Sequence, residues 1–209
     1  MTIDGPPASG KTTMAKLVSE KLGLTHLDSG SIFRSLTLHC LNKGVNLADT
    51  KEVVEKFGDA DIQISDGRIF LNGKDVSKKI RTPEVTREIV KISNIPEVRK
   101  FVKDFQHAYA EAGNGIVADG RKVGTEVFPD ANFKFYLTAD QEVRATRRYL
   151  QMLQKPNVNY EDVLRDLKAR EDVELAHGIL LVPENAIVID NSTMTVEETL
   201  EKILLSITQ

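Results

Sequence analysis

Gly5-Pro6-Pro7-Ala8-Ser9-Gly10-Lys11-Thr12 fits the pattern G-x-x-x-x-G-K-[ST]. That spacing constrains the fold more than any other feature of the chain. The loop must leave a strand, turn tightly on glycines, and enter a helix whose first N–H groups remain unpaired. Thr2–Asp4 reads as the strand. Lys11–Leu22 reads as the helix, with Met14, Leu17, Val18 and Leu22 on one face and Gly23 as its stop. Backbone N–H groups of such a loop converge on a polyphosphate. Gly5, Ala8, Ser9, Gly10, Lys11, Thr12 and Thr13 are therefore the expected phosphate-loop contacts. Lys11 would reach the outer phosphates, and the Thr12 hydroxyl would ligate Mg²⁺.

A strand–loop–helix opening implies a parallel sheet, and the rest of the chain keeps that rhythm. Thr25–Leu27, Gly115–Ala118, Phe133–Leu137 and Ala186–Ile189 are further candidate core strands. Helices are expected from about Ser31 to Lys43, from about Asp140 and from about Thr195. The expected fold class is α/β: about five parallel strands flanked by helices. One stretch departs from it. Asp61–Ser65 alternates with period two, Asp66-Gly67 and Asn72-Gly73 are hairpin turns, and Arg68–Leu71 lies between them. Two helices follow, each with proline near its start, at Thr82-Pro83 and Ile95-Pro96. Their apolar positions are Val85, Ile89 and Ile92, then Val98, Val102 and Phe105. Residues 49–110 read as an insertion into one domain spanning 1–209.

With 209 residues, the chain suits a single domain of this kind. Hydrophobic residues are 41% and charged residues 28%, which places it among globular proteins. The formal net charge of −3 offers no global field for a nucleic acid polymer, so an anion site must be built locally. Cys40 is the single cysteine, excluding an internal disulfide, and reads as a small buried residue on a helix. Met1–Asp4 reads as strand, not signal peptide, and no run of 18 apolar residues exists; a cytoplasmic protein is expected. Asp119 ends an apolar strand, where phosphate-loop proteins place an Mg²⁺-orienting carboxylate. Arg34 and Arg121 each sit beside the C-terminal end of a core strand, where open α/β sheets bind ligands. Arg144, Arg147, Arg148 and Arg170 lie on late helices, and Arg165 reads as merely solvated.

Several longer runs carry a family resemblance. They are Ile3–Pro6, Leu27-Asp28-Ser29-Gly30-Ser31-Ile32-Phe33-Arg34, Arg81–Val85, Ile95–Arg99, and Ala118-Asp119-Gly120-Arg121 with Gly124–Pro129. With these the chain closely resembles bacterial cytidylate kinases over essentially its whole length. The resemblance implies phosphoryl transfer from MgATP to CMP or dCMP, and a monomer is expected. It implies that Ser29 and Arg99 contact the base and that Arg34 and Arg121 clamp the acceptor phosphate. Arg170 would be a ribose- and phosphate-side arginine of a lid spanning 144–177, and Arg147 and Arg148 would meet the transferring group. The implied catalytic set is Lys11, Asp119, Arg121 and Arg147. The insertion looks like that family's enlarged monophosphate-binding part.

The pattern departs from the family in the acceptor pocket. The family's base-reading aspartate is Lys122 here, a ribose-contacting aspartate is Glu174, a phosphate-clamp arginine is His177, and a ribose-side serine aligns with Val90. A nucleotide acceptor attacks through an oxygen already largely ionised near neutral pH, so no general base is required. A hydroxyl acceptor would need a carboxylate, and Asp28 or Asp119 could supply one. Three readings follow: a cytidylate kinase with relaxed base contacts, a kinase for another or modified pyrimidine nucleotide, or a nucleotide-binding protein without transfer.

Overall fold

The structure is a computed structural model, and it describes residues 1–65, 67–153, 158–176 and 178–208. In chain order the elements are β1 (Thr2–Asp4), α1 (Lys11–Leu22), β2 (Thr25–Asp28), α2 (Ser29–Asn42), α3 (Thr50–Phe57), β3 (Ile62–Ser65), β4 (Arg68–Leu71), β5 (Lys74–Asp75), α4 (Pro83–Ser93), α5 (Pro96–Glu111), β6 (Ile116–Gly120), β7 (Lys134–Thr138), α6 (Gln141–Met152), α7 (Tyr160–Ala176), β8 (Ile187–Asp190) and α8 (Val196–Leu205). A 3-10 turn spans Lys79–Arg81 and a π-helical turn spans Val123–Val127. The residues group into two compact units, Met1–Leu27 with Gly113–Gln209, and Asp28–Ala112.

The first unit holds a five-stranded sheet in the order β2-β6-β1-β7-β8. β1 is its centre, parallel to β6 and β7. A central strand is covered on both faces, so every residue of β1 is buried. Ile3, Val117, Phe135, Leu137 and Ile189 form the core with Met14, Ala15 and Val18 of α1 and Ile203 of α8. β8 differs from the expected core strand. It lies at the sheet edge, where Ile187 and Val188 are exposed and Ile189 alone is buried. β6 runs two residues beyond the expected end, because its pairing with β1 continues to Asp4–Gly120. Asp119 therefore sits inside a strand, opposite Ile3, and not after it.

The second unit contains the antiparallel meander β3-β4-β5. Ile62 pairs with Leu71 and Ile64 with Ile69, so one face stays apolar. Asn72 and Gly73 both have positive φ (50° and 73°), as the tight hairpin between β4 and β5 requires. Asp66, expected in the preceding turn, lies outside the described residues. Thr82 caps α4 by accepting from the Val85 N–H, and Pro83 and Pro96 occupy the first turns of α4 and α5. Val85, Ile89, Ile92, Val98 and Val102 are buried as expected. Phe105 is not: it is half-exposed and stacks on Tyr109, while Gln106 takes the buried position. Cys40 is fully buried on α2, and burial pushes its thiol up to about 11. Among the described residues, no helix is long and apolar enough to cross a membrane.

Candidate active site

The chain leaves β1 into a loop that only glycine permits at its first position. A Cβ on Gly5 would lie 2.1 Å from the Leu137 carbonyl oxygen, and Gly5 has a φ of 152°. Ala8 and Gly10 are also left-handed, with φ of 61° and 92°. These conformations fold the loop back so that Lys11 Nζ donates to the Pro6 oxygen at 2.9 Å. Burial and the neighbouring Arg121 guanidinium push the Lys11 ammonium down to about 8, against the opposing pull of Asp119 and Glu174. Thr13 points outward and is exposed. Ser9 is wholly buried, and its hydroxyl has no hydrogen-bond partner among the described residues. A buried unpaired hydroxyl costs free energy, so this loop suits a polar occupant.

Three elements meet behind that loop. Thr12, in the first turn of α1, donates its hydroxyl hydrogen to Asp119 Oδ2 at 2.6 Å. Asp119 on β6 is 1% exposed, and its Oδ1 lies 2.7 Å from His26 Nε2 on β2. His26 was invisible to sequence reasoning because its partner is 93 positions away. Thr12 and Asp119 present hard oxygen donors, the kind Mg²⁺ takes. Asp4 is also buried, and its two oxygens accept the N–H groups of Val123 at 2.8 Å and Gly124 at 2.6 Å. Desolvation raises the Asp4 carboxyl above its ordinary range, partly offset by these two bonds. Asp4 thus pins the turn that follows Arg121 and Lys122 to the end of β1. An acid inside a three-residue buried strand was the available signal.

Arg121, just past β6, donates Nε–H to Glu174 Oε2 at 2.7 Å. Arg170, one turn earlier on α7, donates Nε–H to Glu174 Oε1 at 2.9 Å. Lys11, Asp119, Arg121, Arg170 and Glu174 therefore belong to one cluster. Lys122 stands apart from it and donates to Glu126 Oε1 at 2.7 Å. Arg147 is also held elsewhere: its Nη groups go to Asn191 Oδ1 at 2.9 Å and Asn191 O at 2.8 Å. Asn191 in turn donates Nδ2–H to the Ser9 oxygen at 3.0 Å. Arg144, on α6, is 3% exposed. It donates to Pro7 O at 3.2 Å and to both oxygens of Glu171. Arg165 is exposed and pairs with Asp162, as expected.

In the second unit, Asp28 caps α2 by accepting from the Ser31 N–H and hydroxyl, and Arg81 donates to it at 3.2 Å. A Cβ on Gly30 would lie 2.7 Å from Arg34 Nη1, so the Arg34 guanidinium rests against that backbone. Ser29 donates its hydroxyl hydrogen to Gln106 Oε1 at 2.5 Å. Arg99 donates to the Ser93 oxygen at 3.4 Å. Val90 lies on α4 and is 55% exposed. His177 lies outside the described residues.

A glycine-rich phosphate loop at the centre of a five-stranded parallel sheet, entered by lysine and threonine, defines a P-loop kinase fold. The crystal structure of shikimate kinase from Bacteroides thetaiotaomicron shares that fold, with a TM-score of 0.51 at 13% identity over 100% of this chain and 97% of that one. The cytidylate kinase family model matches residues 1–209. The chain is 41% identical to the cytidylate kinase of Caldanaerobacter subterraneus subsp. tengcongensis, over 97% of this chain and 92% of that protein. It is 40% identical to the cytidylate kinase of Caldicellulosiruptor bescii, over 98% of this chain and 93% of that protein. The chain belongs to the cytidylate kinase family.

Proposed function

We propose that this chain transfers the γ-phosphoryl group of ATP to CMP or dCMP, giving the diphosphate. The observation that carries this reading is the cluster of Lys11, Thr12, Asp119 and Arg121 around the phosphate loop, in a chain of cytidylate kinase descent. Thr12 and Asp119 would hold Mg²⁺, which when bound neutralises phosphate charge. Lys11 stabilises charge developing on the transferring oxygens, and the loop amides fix the polyphosphate. Arg34 and Arg121 are the proposed acceptor-phosphate arginines, and Ser29 and Arg99 the proposed base contacts. The acceptor oxygen is already ionised, so positioning and charge neutralisation suffice and no residue need take a proton.

The second unit, which contains the insertion 49–110, is the proposed monophosphate-binding part. Residues 144–177 are the proposed lid. Arg147 supports the phosphate loop through Asn191 and would reach the transferring group from there. The enzyme is read as a cytoplasmic monomer. A coupled assay with CMP, dCMP, UMP and AMP tests this reading: CMP and dCMP should give the highest kcat/KM, and Lys11→Ala should abolish most turnover while the protein still folds. A Lys11→Ala variant with near wild-type turnover would sink the ATP-site assignment.

A further inference from the structure

Glu174 occupies the place where the family resemblance implies a ribose contact, yet both of its oxygens are engaged with arginines. Oε2 accepts from Arg121 and Oε1 from Arg170. Its side chain is 8% exposed, against 27% for Arg121 and 33% for Arg170. A ribose hydroxyl would have to enter a carboxylate that is already buried between two guanidinium groups. Arg121 and Arg170 both disfavour the charge on Lys11, whereas Glu174 favours it. The carboxylate thus binds two arginines and offsets their effect on the nearby Lys11 charge.

We propose that Glu174 is a positioning residue for the acceptor phosphate, clasping Arg121 and Arg170 by their Nε–H groups, and that it does not read the ribose. The inference rests on the proposed function and deepens it. Each arginine gives Glu174 a single Nε–H. Side-chain length explains why glutamate serves. Arg170 and Glu174 lie one turn apart on α7, where such pairs meet. The longer side chain lets the second oxygen reach Arg121 on a different element.

The test compares wild type, Glu174→Gln and Glu174→Asp, with kcat and KM for CMP and for dCMP, and calorimetric binding of CMP and of cytidine. Removing the charge that orients two arginines should raise KM for CMP and dCMP together, by about tenfold. The CMP-to-dCMP ratio of kcat/KM should stay within about twofold, and cytidine, which has no phosphate, should bind as before. Glu174→Asp keeps the charge but reaches less far, and should fall between wild type and Glu174→Gln. If Glu174→Gln does not fold, the same comparisons are read from Glu174→Asp. A shifted CMP-to-dCMP ratio, equal weakening of cytidine, or tighter CMP binding in the variants would overturn the proposal. So would unchanged constants in variants of a wild type that turns over CMP, leaving the proposed function standing. No turnover by wild type with any nucleoside monophosphate would overturn both.

Discussion

Gly124 tests how the acceptor-side turn is anchored. A Cβ there would lie 2.7 Å from Thr2 Oγ1, 3.0 Å from Asp4 Oδ2 and 3.0 Å from Pro183 Cγ. Thr2 and Asp4 are wholly buried in the central strand and paired on both sides, so neither can retreat far. Gly124→Ala must therefore push the Val123–Val127 turn outward and lengthen the 2.6 Å bond from its N–H to Asp4. Overpacking costs about 1–3 kcal/mol, and weakening a buried charge-assisted bond adds about 1 kcal/mol. The sum of roughly 2–4 kcal/mol should lower Tm by roughly 5–12 °C for a chain of this length. Gly58→Ala is the control. Its φ is −68° and a Cβ there meets nothing within 4 Å. That change should leave Tm unaltered or raise it, by up to roughly 4 °C, through reduced freedom of the unfolded chain. Thermal melting by circular dichroism reads both. A Gly124→Ala protein melting with wild type would refute the anchoring argument.

Lys11 gives a pH prediction. With its ammonium pushed down to about 8, the free enzyme loses that charge as pH rises through this value, and with it the form that grips phosphate. ATP affinity should fall about tenfold between pH ~7 and pH ~9. Lys11→Arg should remove that dependence, and a flat wild-type profile would show that Lys11 stays charged. Lys122→Asp should raise CMP turnover relative to UMP by roughly tenfold or more, since cytosine's amine needs an acceptor that lysine lacks. An unchanged ratio would show that Lys122 stays on Glu126 and does not read the base.

The local parts of this molecule were legible in the sequence. The phosphate loop, α1 with its Gly23 stop, and the meander follow from spacing and turn residues that act within a few positions. α3 was equally local yet went unread: Asp49 caps it, and Val53 and Phe57 bury one face. Properties set by distant partners were not legible. The true end of β6 depends on pairing with β1, more than a hundred positions earlier in the chain. His26 acquires meaning only from Asp119. Arg144 looked like any helix arginine until Glu171 and the Pro7 oxygen enclosed it. Glu174 is half readable, because Arg170 is one turn away and Arg121 is not.

Helix α7 reaches two parts of the proposed site through consecutive residues. Arg170 joins Glu174 and, through it, Arg121. Glu171, about 100° further round the helix, holds Arg144, which donates to the phosphate loop at Pro7. A rigid rod geared at two points cannot turn at one without loading the other. An acceptor phosphate on the proposed Arg121 and Arg170 clasp would therefore be linked through α7 to the loop proposed to hold ATP. By thermodynamic reciprocity, whatever factor CMP applies to ATP affinity, ATP applies to CMP.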